Sequence, residues 1–501
     1  MEQDAKFTQG STMRHILVMS GAGSIGLMAL FVVDLVDMLF ISMLGQDELA
    51  AAVGFAGTLV FFSTSISIGT SIAMGALVSK ALGAKQRLQA QRVGVSTLMT
   101  ALLISCCVSI LIYLFIPELL SSIGAKGYAA ERAEAYLRIL IPSGPIVAIA
   151  MASGAGLRAA GDAKRSMWAT LWGGIVNAIL DPIFIFGFDM NVEGAAWASV
   201  IARFTVLYFS LIPLIRVHDL VAPPSLVHWM RHSKVILAIA VPAIITNTAT
   251  PIGNAIVTSA IAHFGEDYVA GFAVIGRLTP VCFAVIFALS GAVGPIIGQN
   301  YGADRFDRVE ETLKNSLVVT TLYTLAVCLL LYFLQDYVVL MFSLKGDAAE
   351  IVTAFCTYVA LSFVFNGTLF VANTSFNNLG KPFYSTALNL GKATLGTIPF
   401  VYFGAEMMGP LGVMYGQAIG TMVFGLIALL VLRKHLSDVV KGQEPVLAQE
   451  LQVTCVNTQP FCSHDALVID DITLATETES RPLSVDNEVN KKVDSDNNLM
   501  Q

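Results

Sequence analysis

LAAAVGFAGTLVFFSTSISIGTSIAMGALVS, residues 49–79, runs for 31 residues with no Asp, Glu, Lys or Arg. About 20 residues of helix cross the hydrocarbon core of a bilayer, so this run spans with length to spare. Backbone groups find no water at that depth, which leaves helices or closed barrels as the spanning structures. Barrel strands alternate in polarity over roughly 10 residues, and this run does not alternate. Val235 to Gly265 is charge-free over 31 residues, Ile351 to Gly380 over 30, and Leu278 to Ala303 and Met407 to Leu432 over 26 each. Charged residues make up 13% of the 501 and mean hydropathy is +0.71, whereas a soluble chain is about 25% charged. A soluble enzyme is excluded; the expected fold class is an all-α polytopic membrane protein.

Charge-free runs and the breaks between them predict twelve spans, near 14–44, 48–79, 88–116, 132–158, 164–188, 193–216, 232–263, 267–299, 308–334, 350–379, 382–404 and 409–433. Placing Lys and Arg on alternate sides puts 19 on the side of the N-terminus and only Lys126, Arg132, Arg138 and Lys345 on the other. That bias predicts cytoplasmic termini and, in a bacterial cell, the inner membrane. Ser71, Ala73 and Gly75 recur as Ser290, Ala292 and Gly294, Gly83-Ala84 as Gly302-Ala303, and Gly161 as Gly380, always 219 residues on. Two six-helix halves follow. Since six is even, both enter from the same side, as parallel repeats that can rock about a central cleft. The expected organisation is an N-lobe over 14–216, a cytoplasmic linker over 217–231, a C-lobe over 232–435 and a disordered tail over 436–501, which lacks apolar periodicity.

The net charge of −7 says little about the membrane part, because ten of the 36 acids lie beyond Glu444. No nucleic-acid partner is expected. The seven cysteines are scattered and suggest no metal or disulfide framework. The apolar run beginning at His15 lacks a cleavage pattern, so no removed signal peptide is expected.

Six charged residues lie seven or more positions inside the ends of the spans: Asp34, Asp37, Asp181, Arg203, Arg277 and Lys392. A charge at the bilayer centre costs about 2.5–3.5 kcal/mol on the insertion scale and usually faces a cavity or a partner. Asp34 and Asp37, three apart, share a helix face; two acids so close in low dielectric suit a proton carrier, though either could be a structural hydrogen-bonding group. Asn177 and Asp181 are also neighbours on one face, and Pro182 removes a helical hydrogen bond beside the carboxylate. That arrangement suits a cation or proton site, or a satisfied polar patch between helices. Arg203 and Arg277 are expected to pair with an acid or to snorkel. Lys392 could touch substrate or balance charge. The C-lobe has no acid deep in its spans and offers Asn247, Asn254, Asn366, Asn373, Asn377 and Asn378 with Met and Phe. These fit a lining for bulky, partly apolar ligands, and equally helix-packing contacts.

Leu35-Val36-Asp37 through Leu44-Gly45, Leu157 to Asp162, Asn177 to Asp181-Pro182, and Gly194-Ala195-Ala196 with Ala198-Ser199 closely resemble the multidrug and toxic compound extrusion (MATE) transporters over about residues 14–435. The pattern looks like the DinF-like branch. The resemblance then implies a cation or proton cluster of Asp37, Tyr136, Asn177, Asp181 and Ser199, with Ser199 standing where threonine is usual. The acids that the NorM branch carries in its seventh and tenth helices are missing. Members export cationic or amphipathic compounds in exchange for protons or sodium. The expectation is therefore a monomeric efflux antiporter that needs no cofactor beyond its coupling ion. That ion is a proton, or a sodium ion at Asp37, Asn177 and Asp181, with Asp34 near by. Substrate is expected to meet Asn254, Lys392, Asn373 and Asn377. A lipid-linked precursor flippase of the same superfamily is the alternative, and a membrane sensor or intramembrane enzyme a remote one; neither His-Glu-x-x-His nor Gly-x-Ser-x-Gly occurs.

Overall fold

The computed structural model describes residues 5–43 and 47–440. In it α1 (Thr12–Ser42), α2 (Asp47–Gly83), α3 (Arg87–Leu114) and the short α4 (Ile116–Ser122) lead to α5 (Gly127–Leu140) and α6 (Gly144–Ala159), which share the fourth span. α7 (Ala163–Pro182) and α8 (Asn191–Arg216) complete the first half. α9 (Leu226–Ala262) opens the second, α10 (Glu266–Cys282) and α11 (Ala284–Gly302) form the eighth span, and α12 (Phe306–Met341) forms the ninth. α13 (Gly346–Thr357) and α14 (Phe363–Asn378) make the tenth, before α15 (Pro382–Ala393) and α16 (Ile398–Val440).

Eleven stretches are long and apolar enough to cross a membrane, and the last, Pro382–Val439, is 58 residues long. That stretch is two spans. Gly409 has φ +61°, and a Cβ placed on Gly412 would lie 1.9 Å from Gly404 O, on Gly416 2.1 Å from Phe400 O, and on Gly420 1.5 Å from Gly396 O. Partners that move apart in step on either side of one point are the two arms of an antiparallel hairpin. Glycine every fourth residue lets the arms touch backbone to backbone. Gly420→Ala is expected to splay the hairpin at a cost of about 1–3 kcal/mol, read as a fall in the melting temperature of the detergent-solubilised protein.

The repeat is visible in the backbone. Left-handed residues recur 219 positions apart: Lys85 and Asp304, Gly124 and Ser343, Gly127 and Gly346, Gly161 and Gly380. The fourth and tenth spans are interrupted at equivalent places, by 3₁₀ turns at Ile141–Ser143 and Val359–Ser362.

Lobe contact is heaviest toward one end and reaches mid-span, where a Cβ on Gly69 would meet Ile244. Apolar clusters that mix the halves use Phe7, Ile16, Met19 and Ala163 with Leu289 to Val439, and Ala73 to Val93 with Ile236 to Ala240. These residues lie toward the end of the spans that carries the excess Lys and Arg, here called the basic end. Toward the opposite end the clusters are pure: Ala52 to Ile141 and Ile41 to Ala195 in one half, Val257 to Ala418 in the other. At the basic end Cβ atoms on Gly83 and Gly302 would stand about 2 Å from the partner backbone at Gln299 and Lys80. The lobes there are as close as two helices can come.

Several expected boundaries move. α9 begins at Leu226, so the linker is 217–225 rather than 217–231, and α16 reaches Val440, so 436–440 are helical and not tail. The rest of the expected tail, 441–501, lies outside the described residues. The fourth span starts at Gly127 rather than 132, because helix continues past the apolar segment through the charged turn of Glu131, Arg132 and Glu134. Apolar runs mark membrane depth, whereas helices end where caps and turns end them.

One such cap ties the linker to the N-lobe. Asp162 Oδ1 accepts from Arg165 N–H at 3.1 Å at the start of α7, and Oδ2 accepts from the Arg165 guanidinium and lies 2.9 Å from His218 Nε2. Burial opposes ionisation of Asp162, but His218 and Arg165 outweigh it and hold the carboxyl well below its ordinary value of 3.8. A depressed folded value means that the stabilisation is complete above the ordinary carboxylate range and disappears as pH falls through the folded value. Asp162→Ala is therefore expected to cost about 1 kcal/mol at pH 7. The gap in melting temperature from wild type should narrow as the buffer is taken below about pH 4.

Candidate functional site

The acids predicted on separate helices meet inside the N-lobe. Asn177 Nδ2 donates to Asp37 Oδ1 at 3.0 Å and to Asp181 Oδ2 at 2.8 Å. One amide thus joins α1 to α7, and the carboxyls of Asp37 and Asp181 face each other. α1 comes this close because α7 presents glycine: a Cβ on Gly174 would lie 3.0 Å from Val33 Cγ2. Asp181 is fully buried, and its Oδ1 has no hydrogen-bond partner. A buried acceptor left open is expensive unless a proton or ion fills it.

Pro182 ends α7 directly after the carboxylate, and the chain takes one widened π turn over Ile183–Gly187. Such turns arise where the regular ladder is interrupted and often mark functional positions. Gly194 supports this turn, since a Cβ there would sit 2.7 Å from the Phe184 carbonyl carbon. Tyr136 of α5 stands beside Ser199 and Arg203 of α8 and within electrostatic reach of Asp37 and Asp181. The structure thus gathers Asp37, Asn177, Asp181, Tyr136 and Ser199 within the N-lobe, away from its basic end. An amide, a phenol, a hydroxyl and two carboxyls supply oxygen ligands of the hard kind that a proton or sodium ion takes.

Asp34 is exposed, one turn from Asp37 along α1. The residues expected to meet substrate in the C-lobe differ in exposure. Asn254 is exposed, whereas Asn373 and Asn377 are buried within α14, each with an unpartnered Oδ1. Lys392 donates to Asn366 Oδ1 at 2.7 Å. Arg277 is exposed, as snorkelling requires. Arg203, expected to pair with an acid or to snorkel, donates instead to Leu140 O and to Ser143 Oγ. A break in the neighbouring span frees that carbonyl, and a break is invisible to charge spacing.

The family model MatE matches residues 24–183 and 242–403, one match in each half. The chain belongs to the MatE family. MatE members are transporters, so this is a multi-pass membrane transporter and not an enzyme. It is similar to a FAD transporter of Shewanella oneidensis, 27% identical over 435 residues that cover 86% of this chain and 96% of the relative. It is also similar to the multidrug export protein MepA of Staphylococcus aureus, 23% identical with the same coverage. A solved structure described as the outward-facing conformation of a multidrug resistance MATE family transporter superposes with TM-score 0.81 at 24% identity. It covers 88% of this chain and 99% of that one. The MatE matches take in Asp37, Tyr136, Asn177 and Asp181 and stop short of Ser199.

Proposed function

We propose that this MatE transporter is an efflux antiporter of the DinF-like kind, exporting cationic or amphipathic small molecules in exchange for protons. The observation that carries the reading is the Asn177 bridge between Asp37 and Asp181, with an open buried oxygen on Asp181. With the basic end cytoplasmic, as the charge bias argues, the lobes are closed inside and separate outside. The cluster then lies where an external proton can reach it. Protonation removes the charge that holds Asp37 to the Asn177 amide, so α1 can shift on α7 and the cleft loses its hold on a cationic substrate. One charge moved through 100 mV supplies about 2.3 kcal/mol, whereas turning a population from 1:99 to 99:1 takes about 5.5 kcal/mol. A pH gradient or a second proton makes up the difference. Sodium suits the same oxygens and is the alternative ion.

A second reading concerns the substrate. Lys392, a cation at membrane depth whose bond goes to the neutral Asn366, favours a compound with an anionic group, and the full-length similarity to a FAD transporter points the same way.

Purified protein in liposomes discriminates these. An imposed pH gradient, acid on the side that is external in the cell, is expected to drive ethidium out of the protein's cytoplasmic side with sodium absent. A sodium gradient alone driving full transport would replace the ion and keep the site. Uptake of FAD and not ethidium would select the second substrate class.

A further inference from the structure

Arg203 has no use in that cycle and an unusual environment. Its Nη1 donates to Leu140 O at 3.1 Å and to Ser143 Oγ at 2.6 Å, both neutral acceptors. Tyr136 stands beside it, and among the described residues Arg203 forms no ion pair with a carboxylate. Guanidinium stays protonated in proteins, and a charge at membrane depth without a counter-charge is costly. A cavity of about 10 Å³ borders Arg203, with Ser63, Thr64 and Ser67 of α2 and Gly144 of α6 among its walls; that is room for one water-sized occupant. Three hydroxyls surround Gly144, of which Ser63 lines the cavity. A Cβ on Gly144 would lie 2.4 Å from Ser109 Oγ, 3.4 Å from Ser63 Oγ and 3.5 Å from Ser105 Oγ. Ser105 and Ser109 of α3 are 3% and 5% exposed, and their hydroxyls have no partner.

We propose that this cavity is a binding site for a small monovalent anion of the halide class, held by Arg203 and the hydroxyl of Ser63, with the unpartnered hydroxyls of Ser105 and Ser109 next to it around Gly144. Charge selects the occupant. A water would satisfy the hydroxyls but leave the guanidinium uncompensated, whereas a halide accepts from every donor present and neutralises the arginine. The anion is then a resident of the N-lobe that fixes α2, α3, α6 and α8 around the break at Ile141–Ser143. It is separate from the acids, none of which lines the cavity.

The full-length protein in detergent, exchanged into sodium gluconate and titrated with sodium chloride or bromide at constant ionic strength, tests this. Saturable, halide-specific rises in melting temperature are expected. Gly144→Ala, which fills the edge of the site, and Arg203→Gln are expected to lose them. Where Arg203→Gln does not fold, Ser105→Ala with Ser109→Ala is expected to raise the half-saturating halide concentration at least about tenfold, the equivalent of one lost hydrogen bond to a charged partner. Crystals grown in bromide are expected to show an anomalous peak within hydrogen-bond distance of Arg203. A melting temperature indifferent to halide, or density there without anomalous signal, means the occupant is water and overturns the proposal.

Discussion

Asp181→Asn and Asp37→Asn are each expected to reduce pH-driven substrate accumulation in liposomes to the level of empty vesicles while the protein still folds. A single proton moved through 100 mV and one pH unit can sustain a gradient of about 500-fold in a neutral substrate; an amide in place of either carboxyl takes up and releases no proton, and that gradient collapses to unity. Folding survives because the amide keeps the volume and an acceptor oxygen for the Asn177 donor now 2.8 Å from Asp181 and 3.0 Å from Asp37. Substrate exchange at equal concentrations on both sides needs no net proton movement and is expected to persist. This separates a lost coupling ion from a lost binding site. Asp34→Asn is the control: Asp34 is exposed, and accumulation is expected to stay within about twofold of wild type, as surface changes usually have small effects. Undiminished accumulation in both Asp37 and Asp181 variants would falsify the assigned role.

Much of this was legible in the chain. Charge-free runs gave the spans, because water is absent at membrane depth whatever the tertiary structure. The 219-residue repeat gave two halves, and it reappears in backbone angles at Gly161 and Gly380. Asn177 and Asp181 were placed on one face by helical periodicity alone, and a local rule suffices for a local pair. Their meeting with Asp37 is a tertiary fact that only the resemblance implied. The C-lobe asparagines are less legible: Asn373 and Asn377 are buried and Asn254 is exposed, and since asparagine lines cavities and packs helices alike, spacing does not tell the two roles apart. For Arg203 the sequence leaves an acid partner or snorkelling open, since it shows charges but not the broken turn that exposes the carbonyl of Leu140. The most consequential omission is the segment ahead of α1, six residues of mixed polarity that no periodicity singles out.

That segment, Ala5 to Gly10, joins the two lobes at the basic end. Lys6 Nζ donates to Gly161 O at 2.7 Å on the N-lobe side. Phe7 N–H donates to Gln299 Oε1 at 2.8 Å, and Phe7 O accepts from Arg308 Nη2 at 2.9 Å and from Asn300 at 3.2 Å on the C-lobe side. Gln299 in turn donates to Ala159 O at 2.7 Å, back across the divide. The Phe7 ring is 1% exposed, in a cluster with Ile297, Tyr301 and Ala163. For the basic end to open, Gly161 and Gln299 must part, and the ring must leave that cluster. Phe7→Ala removes burial worth about 3–5 kcal/mol, a shift of roughly 150-fold or more in the balance between closed and open. The chain otherwise keeps its spans, so the expected result is a transporter whose basic end rests open. Spin labels at Lys164→Cys and Lys314→Cys, both exposed and on different lobes, on a cysteine-free background, are expected to report a longer distance in Phe7→Ala than in the parent. Gly161→Val should act in the same direction, since its side chain would meet Lys6 Cδ at 2.7 Å and the residue sits at φ +81°. An unchanged distance distribution in both, with the proteins folded, would show that the direct α2 to α11 contact at Gly83 and Gly302 is enough to hold the end shut and that the N-terminal segment only rides on it.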